Sequence, residues 1–410
     1  MSSSYRSAAA GAALVLVAAE AAAAGWQFDP RIQVGALHDD NYRLTDVRGE
    51  EIEVTGAMLD AQLGLVSEYP LGVIELVPRA RATVFPDSPD EESNDWFFGA
   101  GWQQRLQRLE TQVDFEYADE SVITSEVVSA EFPDVELGDT VAGDGGRVNV
   151  RNRRELLNLQ PRLAYRSTPR HRVEAALSVI DATFDRNFVD QRGFTDLSAS
   201  GGIAIDTSPR DTVSASARVG SYDPAGTRES SDRYGVGGEW SRRWTQKMDT
   251  YVRAGVDRTE TEVLRRETPT SPLLAVPVSE TSWVGGAGAE WTFQVTQVLL
   301  DAVRSTSPSS SGAVVIRDEL RARLRRSLSP RFALTASLRS VRTEGAIEGA
   351  TTVGDRDYLT GRAGFEWRMS RQMLVQGAYD YAWQEFEGEP TDATSNQVNV
   401  SLVYEPRRKD

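Results

Sequence analysis

Glu319-Leu320-Arg321-Ala322-Arg323-Leu324-Arg325 alternates charged and apolar side chains without a break. On a helix these seven residues would scatter around the axis. On a strand, where successive side chains point to opposite faces, they make one apolar face and one charged face. The same period of two recurs along the chain. Val213, Ala215, Ala217 and Val219 alternate with Ser214, Ser216, Arg218 and Gly220, and Val252, Ala254 and Val256 alternate with Arg253, Gly255 and Asp257. Leu157, Leu159, Leu163 and Tyr165 are spaced by Asn158, Gln160, Arg162 and Ala164, and Ala363, Phe365 and Trp367 by Arg362, Gly364 and Glu366. Beyond Gly25 no long segment has a helical period, so the chain reads as all-β.

Short hydroxyl-bearing turns separate these strands: Thr168-Pro169-Arg170, Ser208-Pro209-Arg210, Thr245-Gln246-Lys247, Thr296-Gln297-Val298, Ser329-Pro330-Arg331 and Ser370-Arg371-Gln372. Their first residues lie 40, 37, 51, 33 and 41 positions apart. Proline fixes φ, and Ser or Thr bonds its own backbone, so both favour turns. Two further tight turns fall at Glu68–Gly72 and near Arg105–Glu110. Longer polar connections lie between them, at 38–52, 86–94, 119–153, 184–194, 223–230, 260–279, 307–312, 344–356 and 387–395. Each repeat is thus two long strands, one tight turn and one longer loop, the pattern of a transmembrane antiparallel up-and-down β-barrel. Eight tight turns and nine longer connections join about 18 strands, with 16 the second choice because residues 86–125 are weakly patterned. Both termini then lie at the tight-turn end, and the longest connection, 119–153, is the candidate plug. A β-propeller also repeats near 40–45 residues, but with four short strands per blade. Two long strands per repeat do not fit it.

A mean hydropathy of −0.41 suggests, read alone, a water-soluble protein. The two-faced strands reverse that reading, because half of every barrel strand faces water and the loops are polar. Aromatic residues such as Trp240, Trp244, Tyr251, Trp283, Trp291, Trp367, Tyr379, Tyr381 and Trp383 sit near strand ends, where a membrane–water boundary suits them. At the N-terminus, Arg6 precedes an apolar run from Ala8 to Ala19 and a small-residue site at Ala22-Ala23-Ala24. These features describe a secretory signal peptide over residues 1–24, which leaves 25–410 as the barrel. Localisation in the outer membrane follows.

Composition removes several functions. The 45 basic and 61 acidic side chains give a formal net charge of −16, which argues against nucleic acid as a partner. There is no cysteine, hence no disulfide and no thiolate metal site, and only two histidines, His38 and His171. His38 falls in the first long connection and His171 in a tight turn, so the two cannot share a catalytic site. The acidic runs 87–92 and 131–144 lack the ordered spacing of a calcium loop. No catalytic residue, metal or cofactor is assigned, and the chain does not read as an enzyme.

The segment His38-Asp39-Asp40-Asn41-Tyr42-Arg43-Leu44 resembles the Asp-Asn-hydrophobic element near the start of a β-barrel porin family linked to exopolysaccharide synthesis and export. Leu159-Gln160-Pro161-Arg162-Leu163-Ala164-Tyr165, followed by Ser167-Thr168-Pro169-Arg170, is similar to that family's recurring strand and turn. The resemblance implies an outer-membrane channel, with polysaccharide or its export components as partners beside membrane lipid. The last strand, ending Val398-Asn399-Val400-Ser401-Leu402-Val403-Tyr404, resembles the C-terminal signal read by the barrel-insertion machinery, although six residues follow the aromatic.

Alternation points Arg79, Arg81, Arg162, Arg218, Arg253, Glu319, Arg321, Arg323, Arg362 and Glu366 into the lumen as pore-lining candidates. Cross-strand ion pairs that only hold the wall together are one reading. A hydrogen-bonding lining for a hydrated solute is the other. A passive porin or export pore is the leading expectation, and a structural barrel without transport is its competitor.

Overall fold

In the computed structural model, the described residues are 25–47, 49–123, 151–186, 191–226, 230–265, 274–347, 355–387 and 391–406. The expected signal peptide and most of the expected plug at 119–153 lie outside them. The strands are β1 (Trp26–Asp39), β2 (Val54–Tyr69), β3 (Gly72–Val84), β4 (Ser93–Arg105), β5 (Leu109–Ser121) and β6 (Arg153–Thr168). Next come β7 (His171–Phe184), β8 (Phe194–Asp206), β9 (Asp211–Pro224), β10 (Ser231–Thr245), β11 (Met248–Arg265) and β12 (Leu274–Thr292). The last six are β13 (Thr296–Pro308), β14 (Val314–Ser329), β15 (Phe332–Gly345), β16 (Arg356–Arg368), β17 (Met373–Phe386) and β18 (Ala393–Tyr404). Each pairs antiparallel with its sequence neighbours, and β18 pairs with β1 from Ile32↔Tyr404 to Asp39↔Gln397. The 18-stranded sheet is therefore closed, without a free edge along its paired length.

Closure explains how so polar a chain can live in lipid, since every ladder group within the wall is satisfied by the next strand. Val34, Leu59, Leu157, Leu177, Ile203, Val219, Val236, Val252, Leu300, Leu320, Leu338 and Val400 are exposed on the outer face. Trp96 and Trp283, 59% and 62% exposed, mark the long-connection end of this apolar band, and Trp240, Trp244 and Trp367 mark its tight-turn end. A closed antiparallel barrel with an apolar band between aromatic girdles is the outer-membrane architecture. This chain is an outer-membrane β-barrel.

Five of the six repeated turns have one construction. The hydroxyl of Thr168, Ser208, Thr245, Ser329 or Ser370 accepts the backbone N–H two residues on, at 3.3, 3.1, 3.1, 3.2 and 3.2 Å. Register shifts beside Thr168, Thr245 and Ser329 add the bulge that lets the strands reverse. The sixth expected turn is misplaced. Thr296 opens β13, and the reversal lies at 293–295, where the Phe293 N–H donates to the Thr296 carbonyl at 2.8 Å. The expected loop 260–279 is also corrected. Its flanks are strand, because β11 and β12 stay paired as far as Arg265↔Leu274.

Short periplasmic turns and longer external connections are the rule for such barrels. An epitope tag at Thr270 should therefore be labelled on intact cells and one at Arg210 only after permeabilisation. The reverse labelling would invert the barrel.

Candidate functional site

The register places all ten charged pore-lining candidates on the inner face. They divide by burial. Asp60 of β2 is opposite Arg81 of β3 and takes its Nε at 3.0 Å, while Arg79 donates to the same carboxylate at 2.6 Å. Glu319 holds Arg339 at 2.9 Å and Arg317 at 3.2 Å, and Asp301 takes both Arg321 and the Tyr251 hydroxyl. Arg81, Glu319 and Arg321 are thus buried in ion pairs and fix the wall. Breaking such a pair from one side costs about 3–5 kcal/mol. Arg162, exposed and donating to Gln160 at 3.1 Å, and the half-buried Arg253, Arg323, Arg362 and Glu366 remain within reach of a solute. Arg362 faces Asp380 at 3.5 Å and Arg325 faces Glu366 at 2.6 Å.

Tyr251 was expected at the membrane boundary and instead faces inward, buried against Asp301. Its partner is on the next strand but one. Tyr251 and Asp301 both stand opposite Gly288 of β12, which has no side chain to separate them. Arg218 of β9 and Asp257 of β11 bridge β10 in the same way over Gly235. A Cβ at Gly235 would lie 2.2 Å from the Asp257 carboxylate and 2.7 Å from the Arg218 guanidinium. Inward glycines therefore decide which charges meet. Adjacent-strand reasoning missed these pairs, although glycine at an inward position was visible as their signal.

A cavity of about 760 Å³ occupies the lumen against β1–β3 and β12–β18. Asp60 with its two arginines borders it on one side, Arg323, Arg362 and Glu366 on the other, and the side chains of Gln33, Gln376 and Asn399 line it between them. Charged forks and amides on one surface suit a hydrated, hydroxyl-rich or anionic solute.

The mouth at the long-connection end is narrowed by segments that turn inward. The β12–β13 ladder stops at Gly285↔Arg304, whereas β13 and β14 stay paired up to Pro308↔Val314. Freed from β12, this hairpin tip crosses the mouth. The Tyr222 hydroxyl donates to the Ser309 carbonyl at 2.6 Å, the Arg192 N–H to the Ser310 carbonyl at 2.7 Å, and the Thr306 hydroxyl to Asp257 at 2.5 Å. Val314 and Ile316 join Ala118, Leu156, Ala182, Phe194 and Tyr222 in one buried cluster. β14 and β5 are nine places apart in the 18-stranded ring, so the tip reaches the opposite wall. The sequence signal was Val314-Val315-Ile316, an apolar triple that breaks the alternation, as a strand buried on both faces does.

The first connection folds inward as well, through the segment that suggested a family. Asp39 accepts the Asn41 N–H at 2.9 Å and the Ser395 hydroxyl at 2.8 Å, and the Asn41 side chain donates to the Thr394 carbonyl at 2.9 Å. Asp40 accepts the Asn396 N–H at 2.7 Å, Tyr42 packs edge-on against Phe85, and Arg43 donates to Glu91. Leu44 is buried at φ 50°, a left-handed conformation rare for leucine, with its carbonyl accepting from Gln384 at 2.7 Å. These residues clasp the connection to β18 and to the β3–β4 loop. His38 bonds Thr55 at this end and His171 bonds Thr168 at the other, so the structure keeps the two histidines apart.

No protein-family model and no curated protein matches the chain. Among solved structures it is similar to Acinetobacter baumannii OccAB1, at 8% identity over 95% of this chain and 100% of that one, with a TM-score of 0.47. Pseudomonas aeruginosa OccK2, crystallised with glucuronate, gives 9% identity over 93% and 98% of the two chains and a TM-score of 0.46. The outer membrane protein opdK of the same bacterium gives 8% over 93% and 99%, at 0.42. The fold assignment rests on this chain's own closed ladder.

Proposed function

We propose that the barrel is a passive outer-membrane channel for small hydrophilic solutes, narrowed at its outer mouth by the β13–β14 hairpin. The observation that carries this reading is the lumenal cavity, open to water and lined by arginine forks, carboxylates and amides. A purely structural barrel needs its inward charges only in mutual pairs, as Arg81 and Arg321 are. It has no use for a wide polar hollow beside them. The finer reading, passage of exopolysaccharide, rests on the His38–Leu44 and Leu159–Arg170 resemblances alone. The clasp formed by Asp39 to Leu44 gives the first of these a role in holding the mouth. Lipid around the apolar band and the insertion machinery acting on β18 complete the set of partners.

Purified protein in a planar bilayer should give discrete, ohmic single-channel steps that persist without any ligand. A correctly folded barrel, shown by a heat-dependent shift on a detergent gel, that passes no current would favour the structural reading.

A further inference from the structure

The wall neutralises its arginines, but the turns do not. In the Ser/Thr-Pro-Arg turns the hydroxyl and the proline account for the reversal, and the arginine contributes only backbone groups, its N–H to the turn hydroxyl and its carbonyl to the neighbouring hairpin. Its side chain is left over. The β6–β7, β8–β9 and β10–β11 turns gather round a cavity of about 670 Å³ at the tight-turn mouth. Thr212, Glu239, Ser241 and Tyr251, which point inward on β9, β10 and β11, form its wall, so this hollow opens into the lumen rather than toward lipid. Five arginines line it against the three carboxylates of Asp206, Glu239 and Asp249. Arg166, Arg170 and Arg210 are exposed and hold no ion pair among the described residues. Arg243 reaches Asp249 at 3.1 Å in a solvent-exposed pair, which neutralises little, and Arg242 reaches Asp211 at 3.4 Å in a half-buried one.

A cluster of uncompensated guanidiniums stands out in a chain of net charge −16. The outer mouth holds a close carboxyl pair beside Arg342. There the Glu387 carboxyl is pushed above its usual range by a hydrogen bond to Asp355 and by that residue's negative charge. Guanidinium forks match carboxylate and phosphate oxygens in geometry as well as charge. A mouth with an excess of one sign of charge also concentrates its counter-ions.

We propose that the tight-turn mouth is a vestibule that binds small polyanionic solutes, carrying several carboxylate or phosphate groups, through Arg166, Arg170 and Arg210. This rests on the channel reading and names the solute class that the inner side of the pore gathers. The same chemistry would hold the phosphate of an anionic lipid. The hollow's lumenal wall of Thr212, Glu239 and Ser241 assigns it to a dissolved anion.

The test uses the whole barrel in bilayers of zwitterionic phosphatidylcholine, with sidedness read from an antibody to a tag at residue 270. Citrate added at the tight-turn side should block current at about tenfold lower concentration than citrate added at the other side. The difference should fade in 1 M salt, where the Debye length is about 3 Å. The Arg166→Gln/Arg170→Gln/Arg210→Gln variant should keep its heat shift, still conduct, and lose the side difference. Equal block from both sides, or unchanged block in the variant, overturns the vestibule. Loss of block when phosphatidylglycerol is included overturns it in favour of lipid headgroups. If no current flows, the channel reading fails, and citrate binding by calorimetry decides the vestibule separately. Wild-type protein should then release heat that the triple variant does not, and identical titrations overturn it.

Discussion

Deleting residues 309–313 and joining Pro308 to Val314 through a two-residue turn should raise single-channel conductance at least about twofold, because the tip narrows a lumen that 16–18 strands would otherwise leave wide. Folding should survive. The deletion leaves the β13–β14 ladder intact, which runs from Thr296↔Arg326 to Pro308↔Val314. A gentler change separates the tip's position from its bulk. Tyr222 is 1% exposed and its hydroxyl is a partner of the Ser309 carbonyl. Tyr222→Phe leaves that carbonyl only the Gly312 N–H, at 3.1 Å, and costs about 0.5–1.5 kcal/mol. The tip should then detach part of the time, seen as added open-state flicker with an unchanged maximum current. A deletion variant with wild-type conductance would show that current does not pass the hairpin.

Strand number, closure side and the inward set of arginines were legible because each depends on local alternation or on a turn's own hydroxyl. Where water reaches both faces, alternation has no reason to exist. Residues 260–265 and 274–279, where Glu, Thr, Arg, Pro and Ser interrupt Val, Leu and Ala, therefore read as loop although β11 and β12 continue through them as a ribbon. The opposite error occurred at 293–295. Phe293 and Val295, both exposed, make an apolar turn at the tight-turn rim, and apolar residues there looked like strand. Non-local effects were the least visible. Pairing of Tyr251 with Asp301 depends on Gly288, and the Ser310 carbonyl is met by Arg192 of the β7–β8 connection. Neither partner lies near in sequence. Glu319, two periods of the alternation away from Arg323, is held by Arg317 and Arg339. The carboxylates on the same side of the cavity as Arg323 are Glu290 and Glu366, with Asp60 across it.

Ala322→Arg should abolish or strongly reduce assembly, while Arg323→Ala, one residue away, should fold. Ala322 sits midway along β14, between the exposed Leu320 and Leu324, and its register partners Leu300 and Leu338 are exposed in the apolar band as well. Arginine there must lie in hydrocarbon, at a cost of about 2–4 kcal/mol near the midplane. That is a large share of the roughly 5–15 kcal/mol by which folded proteins are stable. The heat-shifted band on a detergent gel should fall or vanish. Arg323 faces the other way and lines the lumenal cavity, so its truncation adds nothing to the lipid face. It should instead make the channel more cation-selective, because Glu290 and Glu366 lose a neighbouring positive charge. A reversal-potential measurement across a salt gradient reads that shift. If Ala322→Arg assembles normally and Arg323→Ala does not, the two faces of β14 are exchanged, and a one-residue register slip would have turned every side chain of the strand over. If both fold and selectivity stays fixed, ions do not pass Arg323, and the conducting path runs elsewhere in the lumen.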